Sequence, residues 1–418
     1  MLSPKFAKQS TAVVLGGTDD HIALIEKLKH RNYHTVLVDY LENPPAKQAA
    51  DEHVIENAFD ENQVLKIAIE HSAKIVISTC IDQALNISCR VAEKLQLPAP
   101  LDSINAGLVT NKLKMKRRMI ETGIPTSSFI EVTNVGDLEN INLRYPLVVK
   151  PSDSHGSFGV RTVTSNNELI ASVINALEIS LSNRAIVEEF NPGIEVSVDA
   201  LLANDEQIIL MCSQLEKKPI DGGVNLIFQS IAPAPITSTA HDKIKQIVEK
   251  IAVAFNLRNT PLLVQLIVNN DEVTVIEFSP RIGGGSKHQI IKHATGFDIL
   301  EAAISSFHHE TISIKWNSSE TFYSRSYVYA APGTFSRVAN IEPLVSDGTI
   351  VDFVLYKTPG MQIGNHHASK DRIGSFMVRG NSSTELREKI AHAVRTLEVY
   401  DKDNLPIMRK EIFQGPHS

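Results

Sequence analysis

Between residues 273 and 285 a hydrophobic, strand-like run delivers a carboxylate at Glu277, a hydroxyl at Ser279 and a guanidinium at Arg281. The two-residue period of a strand sends these three groups to one face and Ile276 and Phe278 to the other. Gln265 lies twelve positions before Glu277 on a second apolar run, and 269–272 between them reads as a hairpin turn, so the two runs are predicted neighbours. Mg²⁺ takes oxygen ligands, keeps several waters and is held by one or two carboxylates plus substrate phosphates, so Glu277 with nearby amide oxygens forms a reasonable partial shell. Arg281 then serves the oxyanions. Taken alone, the hairpin reads equally well as a surface strand pair whose Glu–Arg bridge is worth little.

Other residues suit the same chemistry. Residues 111–122 read as a short helix opened by an Asn cap and closed by Gly123, with Pro125 beyond, which places Lys112 in the first turn. Residues 145–151 read as a strand carrying Lys150 near its end. After it come Ser154, His155, Gly156, Ser157, Phe158 and Gly159, a loop whose backbone N–H groups can approach phosphate oxygens and which can close as a lid. Strand-end lysines are usually solvated and glycine loops usually turns; their adjacency here favours phosphate. Residues 184–199 read as two strands joined at Pro192-Gly193. Extended backbone near Glu188, Glu189 and Phe190 suits the edge and face of a purine, and Glu195 suits ribose hydroxyls, although acidic strand flanks are more often surface charge.

The elements that must position these groups follow from the rest of the chain. With 418 residues, 43% of them hydrophobic and 21% charged, the chain exceeds a single core and divides into two or three domains. A net charge of −7 argues against a general nucleic-acid or acidic-membrane binder, although the basic run 112–118 is a candidate local cleft. Cys80, Cys89 and Cys212 have neither zinc nor disulfide-framework spacing, which suits a reducing cytosol. With no apolar leader core and no membrane-length stretch, the expectation is a soluble, cytoplasmic protein. The first hundred residues alternate strand and helix patterns, as a parallel sheet requires. Gly16-Gly17 followed by Asp39 faintly suggests a dinucleotide fold, but the third glycine is missing, and the turn reads better as a close approach to a small substrate. After about residue 320 short strands and turns dominate, and a final helix starts at the capping signal 382–385.

In this order and spacing the motifs resemble the ATP-grasp superfamily, and within it the carbamoyl-phosphate-synthetase-like and L-amino-acid-ligase branch, over nearly the full length. The resemblance rests on Lys112 with Gly123 and Pro125, Lys150-Pro151, the loop from Gly156, Glu188-Glu189-Phe190 with Glu195, and Gln265 with Glu277, Ser279 and Arg281. It implies an α/β and α+β multidomain protein. A parallel βα domain would cover 1–105 and an ATP-grasp domain 106–318, with a lid-bearing part at about 125–190 and a nucleotide- and metal-binding part at about 191–318. A β-rich domain with the final helix would cover 319–418. Lys112 and Lys150 would hold nucleotide phosphates, residues Ser154, His155, Gly156, Ser157 and Gly159 would form the lid, Glu188 would face the adenine amino group with the backbone of Glu189 and Phe190 completing the hinge, and Glu195 would bind ribose. Gln265, Glu277 and Ser279 would ligate Mg²⁺, and Arg281, with Lys150 and Glu277, would act on the transferring phosphoryl group. Gly284, Gly285 and His288 would lie toward the substrate.

The implied activity is ADP-forming ligation of a small carboxylate to an amine, most plausibly an amino acid, through an acyl phosphate. A sugar-acid ligase, a bicarbonate-using enzyme of the carboxylase or carbamoyl-phosphate type and a decayed nucleotide binder are the rivals. Gln265 and Ser279 replace the commoner carboxylate and asparagine, so weaker Mg²⁺ binding is expected, with Mn²⁺ the alternative ion. A homodimer is the default assembly. The loop 217–223 is a candidate acceptor contact, and His366-His367 read as solvated or packed rather than as metal ligands.

Overall fold

The strands Glu52–Ile55, Tyr33–Asp39, Ser10–Leu15 and Ala73–Ile77 lie side by side, in that order, in one parallel sheet. In the first of them in sequence, Ala12, Val13, Val14 and Leu15 are all fully buried. Ala12 and Val14 pack with Leu24, Ile25 and Leu28 of the helix Asp20–His30, whereas Val13 and Leu15 pack with Val64, Ile67 and Ala68 of the helix Glu61–Glu70. Helices on both faces explain why this strand reads as continuously apolar instead of alternating. Asp39 spends its carboxylate on the N–H groups of Gly17 (2.7 Å) and Leu41 (2.8 Å), an internal anchor for the Gly-Gly turn.

Here the computed structural model describes residues 9–139, 141–154, 158–220, 224–317, 321–365 and 369–414. A second sheet, in the order Phe129–Val132, Ala185–Glu189, Leu147–Pro151, Arg161–Val163, is antiparallel and covered by the helix Asn166–Ile179. Leu169, Val173 and Ala176 of that helix close a small core with Leu147, Val149, Val163 and Val187.

The largest sheet has eight strands, in the order Glu272–Ser279, Thr260–Asn269, Ile194–Ala203, Glu206–Ile220, Val224–Ala232, Phe322–Tyr329, Arg372–Gly380, Asp352–Leu355. It combines strands from both sides of position 319, after which the sequence suggested a β-rich unit. Phe322–Tyr329 pairs with Val224–Ala232, and buried Gln229 Nε2 donates to Ser324 Oγ (2.9 Å) and Ser326 Oγ (2.7 Å) across the seam. The C-terminal part still has its own core, in which Leu386, Ile390 and Val394 of the helix Ser383–Thr396 meet Val328, Phe376 and Val378. Residues 217–220, expected in a loop, are the end of Glu206–Ile220 and pair with 224–227; the expected loop residues 221–223 lie outside the described residues.

Charged pairs fasten the parallel domain to the end of the strand Glu272–Ser279 and to the helix Ile299–Phe307. Lys27 meets Asp298 at 2.8 Å, and Arg31 bonds both Glu301 and Glu310. Asp82, at the start of the helix Asp82–Leu95, receives Arg281 in a two-bond fork, Nε to Oδ1 and Nη2 to Oδ2, each 2.7 Å. Burial pushes the Asp82 carboxyl up, but Arg281 and the hydrogen bond from Ser279 hold it below the usual carboxylate range. With a folded pKa below the unfolded value of about 3.9, Asp82 contributes stability above that value and loses it as pH falls through the folded pKa. In urea unfolding, the stability gap between wild type and Asp82→Asn is therefore constant from about pH 7 to about pH 5 and shrinks at lower pH. A gap that widens on acidification contradicts the assignment.

Candidate active site

The hairpin forms as its sequence suggests: Thr260–Asn269 and Glu272–Ser279 pair antiparallel with Gln265 opposite Glu277, and the tight turn holds Asn270 at φ 53°. The Glu277 carboxylate is 35% exposed, and Lys112 Nζ lies 3.7 Å from Oε2. Lys112 opens the helix Lys112–Glu121, whose cap Asn111 accepts from the N–H of Lys114, and its Nζ also donates to the Ser154 carbonyl at 2.6 Å. A strand end, a helix start and the loop after Lys150 thus meet at one point. The opposed oxygens of Gln265 and Glu277, beside a lysine rather than buried in packing, fit a cation that shares its shell with phosphates and water.

Ser279 and Arg281 serve another partner. Ser279, expected as a third metal oxygen, is 4% exposed and donates to Asp82 Oδ1 at 2.5 Å. Arg281 is forked onto the same carboxylate, and its Nη1 donates to the Ile282 carbonyl at 2.8 Å. Both still line the small cavity shared with Lys112, Gln265 and Glu277. The strand period predicted the shared face, but not the carboxylate that gathers it from another domain.

A cleft of about 1740 Å³ runs from this point past Lys150 and Glu188 toward Glu195, Lys217 and the helix Ser383–Thr396. Glu188 is 5% exposed, with Lys150 Nζ 2.6 Å from Oε1 and Lys116 Nζ 2.8 Å from Oε2. Burial alone would push its carboxyl up, yet the two ammonium groups hold it below the usual range. The same burial lowers Lys116 against the pull of Glu188.

Groups expected at the adenine hinge and the ribose already have partners within the chain. The N–H groups of Glu189 and Phe190 already donate to the carbonyls of Ser128 and Pro146, each at 3.0 Å, so neither is free to meet a purine edge in this conformation. The Glu189 carboxylate is taken by Arg144, whose N–H donates to Oε1 at 3.0 Å. Glu195, expected to face ribose, is closed by an ion pair with Lys217, because both lie on adjacent strands at the cleft wall.

In the segment after Lys150, Ser154 Oγ is buried with no hydrogen-bond partner among the described residues. Gly159 sits at φ 78°, and a Cβ there would meet Ile179 Cδ1 and Pro151 Cγ at 2.9 Å, so only glycine fits. Phe158 lies under Lys370 Nζ, 4.1 Å from the ring centroid, which joins this loop to the C-terminal part. His155, Gly156, Ser157, His366 and His367 lie outside the described residues.

Gly284, Gly285 and His288, placed by the sequence toward substrate, bind the parallel domain. Asp20 accepts from the N–H of Gly285 (3.0 Å) and Ser286 (2.9 Å), and His288 Nδ1 lies 3.4 Å from its Oδ1. Gly284 lies close by, since a Cβ there would stand 3.7 Å from Asp20 Oδ2. No site role was read for Asp20 or Asp82, and Lys116 entered the reading only within the basic run 112–118. Only Lys116 left a signal, because it follows Lys112 by four residues on one helix face.

Residues 143–289 match the ATP-grasp domain family, and residues 326–401 match the L-amino acid ligase C-terminal domain 2. The chain is 25% identical over 400 residues to the carbamoyl phosphate synthase large chain of Thermoanaerobacter sp., a match that covers 90% of this chain and 34% of that protein. It is 22% identical over 316 residues to the uncharacterized protein y4rH of Sinorhizobium fredii, covering 74% of this chain and 64% of the relative. The chain therefore spans less than two thirds of either relative. Among solved structures, the L-amino acid ligase of Bacillus licheniformis superposes with a TM-score of 0.80 at 21% identity, covering 95% of this chain and all of that one. Phosphoribosylglycinamide synthetase of Anaerococcus prevotii gives 0.73 at 19%, over 94% and 100%. The chain therefore carries an ATP-grasp domain followed by an L-amino acid ligase C-terminal domain 2, in a fold shared with these structures.

Proposed function

We propose that the protein is an ADP-forming carboxylate–amine ligase that activates a small carboxylic acid with ATP and joins it to an amine, with an amino acid as a substrate. The observation that carries this reading is the meeting of Lys112, Gln265 and Glu277 at the mouth of a cleft that continues to Lys150 and Glu188. The L-amino acid ligase type of C-terminal domain supports an amino acid, whereas the likeness to carbamoyl phosphate synthase supports bicarbonate as a second reading.

A carboxylate is a poor acyl donor because oxide is a poor leaving group. Phosphorylation converts it to an acyl phosphate; the amine then attacks the acyl carbon, the C–O bond to phosphate breaks, and the amine proton is released. No protein nucleophile is required, so the residues position and neutralise. In this reading Lys112 and Lys150 hold phosphate oxygens, Glu188 accepts from the adenine amino group, and Gln265 and Glu277 hold Mg²⁺, which supplies charge neutralisation at the phosphates. Arg281, fixed by Asp82, presents its guanidinium edge to the developing oxyanion. The loop through Gly159 excludes water.

Phosphate release from Mg-ATP, measured across single and paired amino acids with bicarbonate and sugar acids in separate assays, is expected to need two components and to yield ADP. Glu277→Ala should lower the rate by on the order of a hundredfold or more, as loss of a charge-stabilising group does. Release with bicarbonate alone favours the second reading, and ATP binding without turnover in every assay contradicts both. The neutral Gln265 predicts that half-saturation needs more Mg²⁺ than Mn²⁺ and that Gln265→Glu lowers the Mg²⁺ requirement; identical dependence on both ions in wild type and variant counts against the assigned site.

A further inference from the structure

Lys116 belongs to none of the motifs that define the site, and it does not line the cleft, although Lys150 and Glu188 both do. It is 1% exposed on the helix Lys112–Glu121, its Nζ 2.8 Å from Glu188 Oε2 and 2.8 Å from Thr126 Oγ1, with the Phe129 ring 5.3 Å away. Lys150 reaches the other oxygen of the same carboxylate from the opposite side, on the strand Leu147–Pro151. One buried anion therefore has two buried cations, only one of which can reach a ligand.

We infer that Lys116 is a positioning residue, the standing counter-ion of Glu188 that lets Lys150 leave the carboxylate and follow the phosphates when a nucleotide enters. The inference rests on the reading that ATP occupies the cleft. With Lys150 as sole partner, every phosphate contact made by Lys150 would strand a buried carboxylate, a state far costlier than an exposed one. Lys116 removes that conflict. Held by Thr126 and closed off from the cleft, it keeps Glu188 ionised as an acceptor for an exocyclic amino group whichever way Lys150 points. Lys116 is thus expected to matter for phosphate-bearing ligands and little for the bare nucleoside, which needs no movement of Lys150.

Isothermal titration of ATP and of adenosine into wild type, Lys116→Met and Lys116→Gln tests this, with Lys116→Arg as the rescuing variant. The expected result is an ATP affinity at least about tenfold weaker in Met and Gln, an adenosine affinity changed by less than about threefold, and recovery of ATP binding in Arg. The KM for ATP should rise more than kcat falls in the ligase assay. Equal loss of ATP and adenosine binding would assign Lys116 a merely structural role and overturn the inference, as would unchanged ATP binding in both neutral variants. The Gln variant keeps a donor at Glu188 if the Met variant does not fold. A wild type that binds no ATP overturns the functional reading together with this one, whereas normal wild-type binding with unaffected variants overturns this one alone.

Discussion

A carboxylate can be buried only where cations or N–H donors close on it, and this constraint fixes the geometry of the whole site. Glu188 is the sharpest case. Its strand, Ala185–Glu189, is the second in the small antiparallel sheet, and its charge is matched from the neighbouring strand by Lys150 and from the helix Lys112–Glu121 by Lys116. Because the two cations come from different elements and close on one carboxylate, the sheet and the helix are held in one relation. That relation sets where Lys112 stands against Glu277, and hence where the cleft begins.

The same rule works at the other joints. Asp82 collects Ser279 and Arg281, and Asp20 collects the N–H groups of Gly285 and Ser286. Each carboxylate comes from the parallel domain and ends on the segment just after the Gln265–Glu277 hairpin. The edge that carries Gln265 and Glu277 is therefore braced by carboxylates from the parallel domain. Lys370 over Phe158 adds a contact from the C-terminal part to the loop after Lys150. Three parts of the chain thus share one chemical junction, as expected of a site that works by positioning and charge rather than through a covalent intermediate on the protein.

Local chemistry made much of this legible in the sequence. The pairing of Gln265 with Glu277, the Asn111 cap before Lys112, the Ser382 cap before the final helix and the parallel βα pattern appear where expected, whereas the strict alternation expected around Glu277 is broken by a bulge that brings Ile276 to the cleft beside it. What the sequence did not show depends on distance. Ser279 and Arg281 line the cavity, but the carboxylate that fixes them, Asp82, lies 197 and 199 positions away. Glu195 meets Lys217 because the strand Glu206–Ile220 extends that far, and Phe322–Tyr329 joins a sheet whose other strands lie both before and after it in the chain, while the C-terminal part keeps its own core. A charged side chain announces its chemistry in sequence, but its partner is a property of the fold.

The central claim is that the cleft makes an acyl phosphate. Hydroxylamine intercepts such a species whatever the natural amine, so the most direct measurement is hydroxamate formation from a panel of α-amino acids and sugar acids with Mg-ATP. At least one acid should yield hydroxamate with equal amounts of ADP and phosphate, and Glu277→Ala should lower the yield rate by on the order of a hundredfold or more. Tight ATP binding with no hydroxamate from any acid, or ATP hydrolysis that ignores the acid supplied, would contradict it.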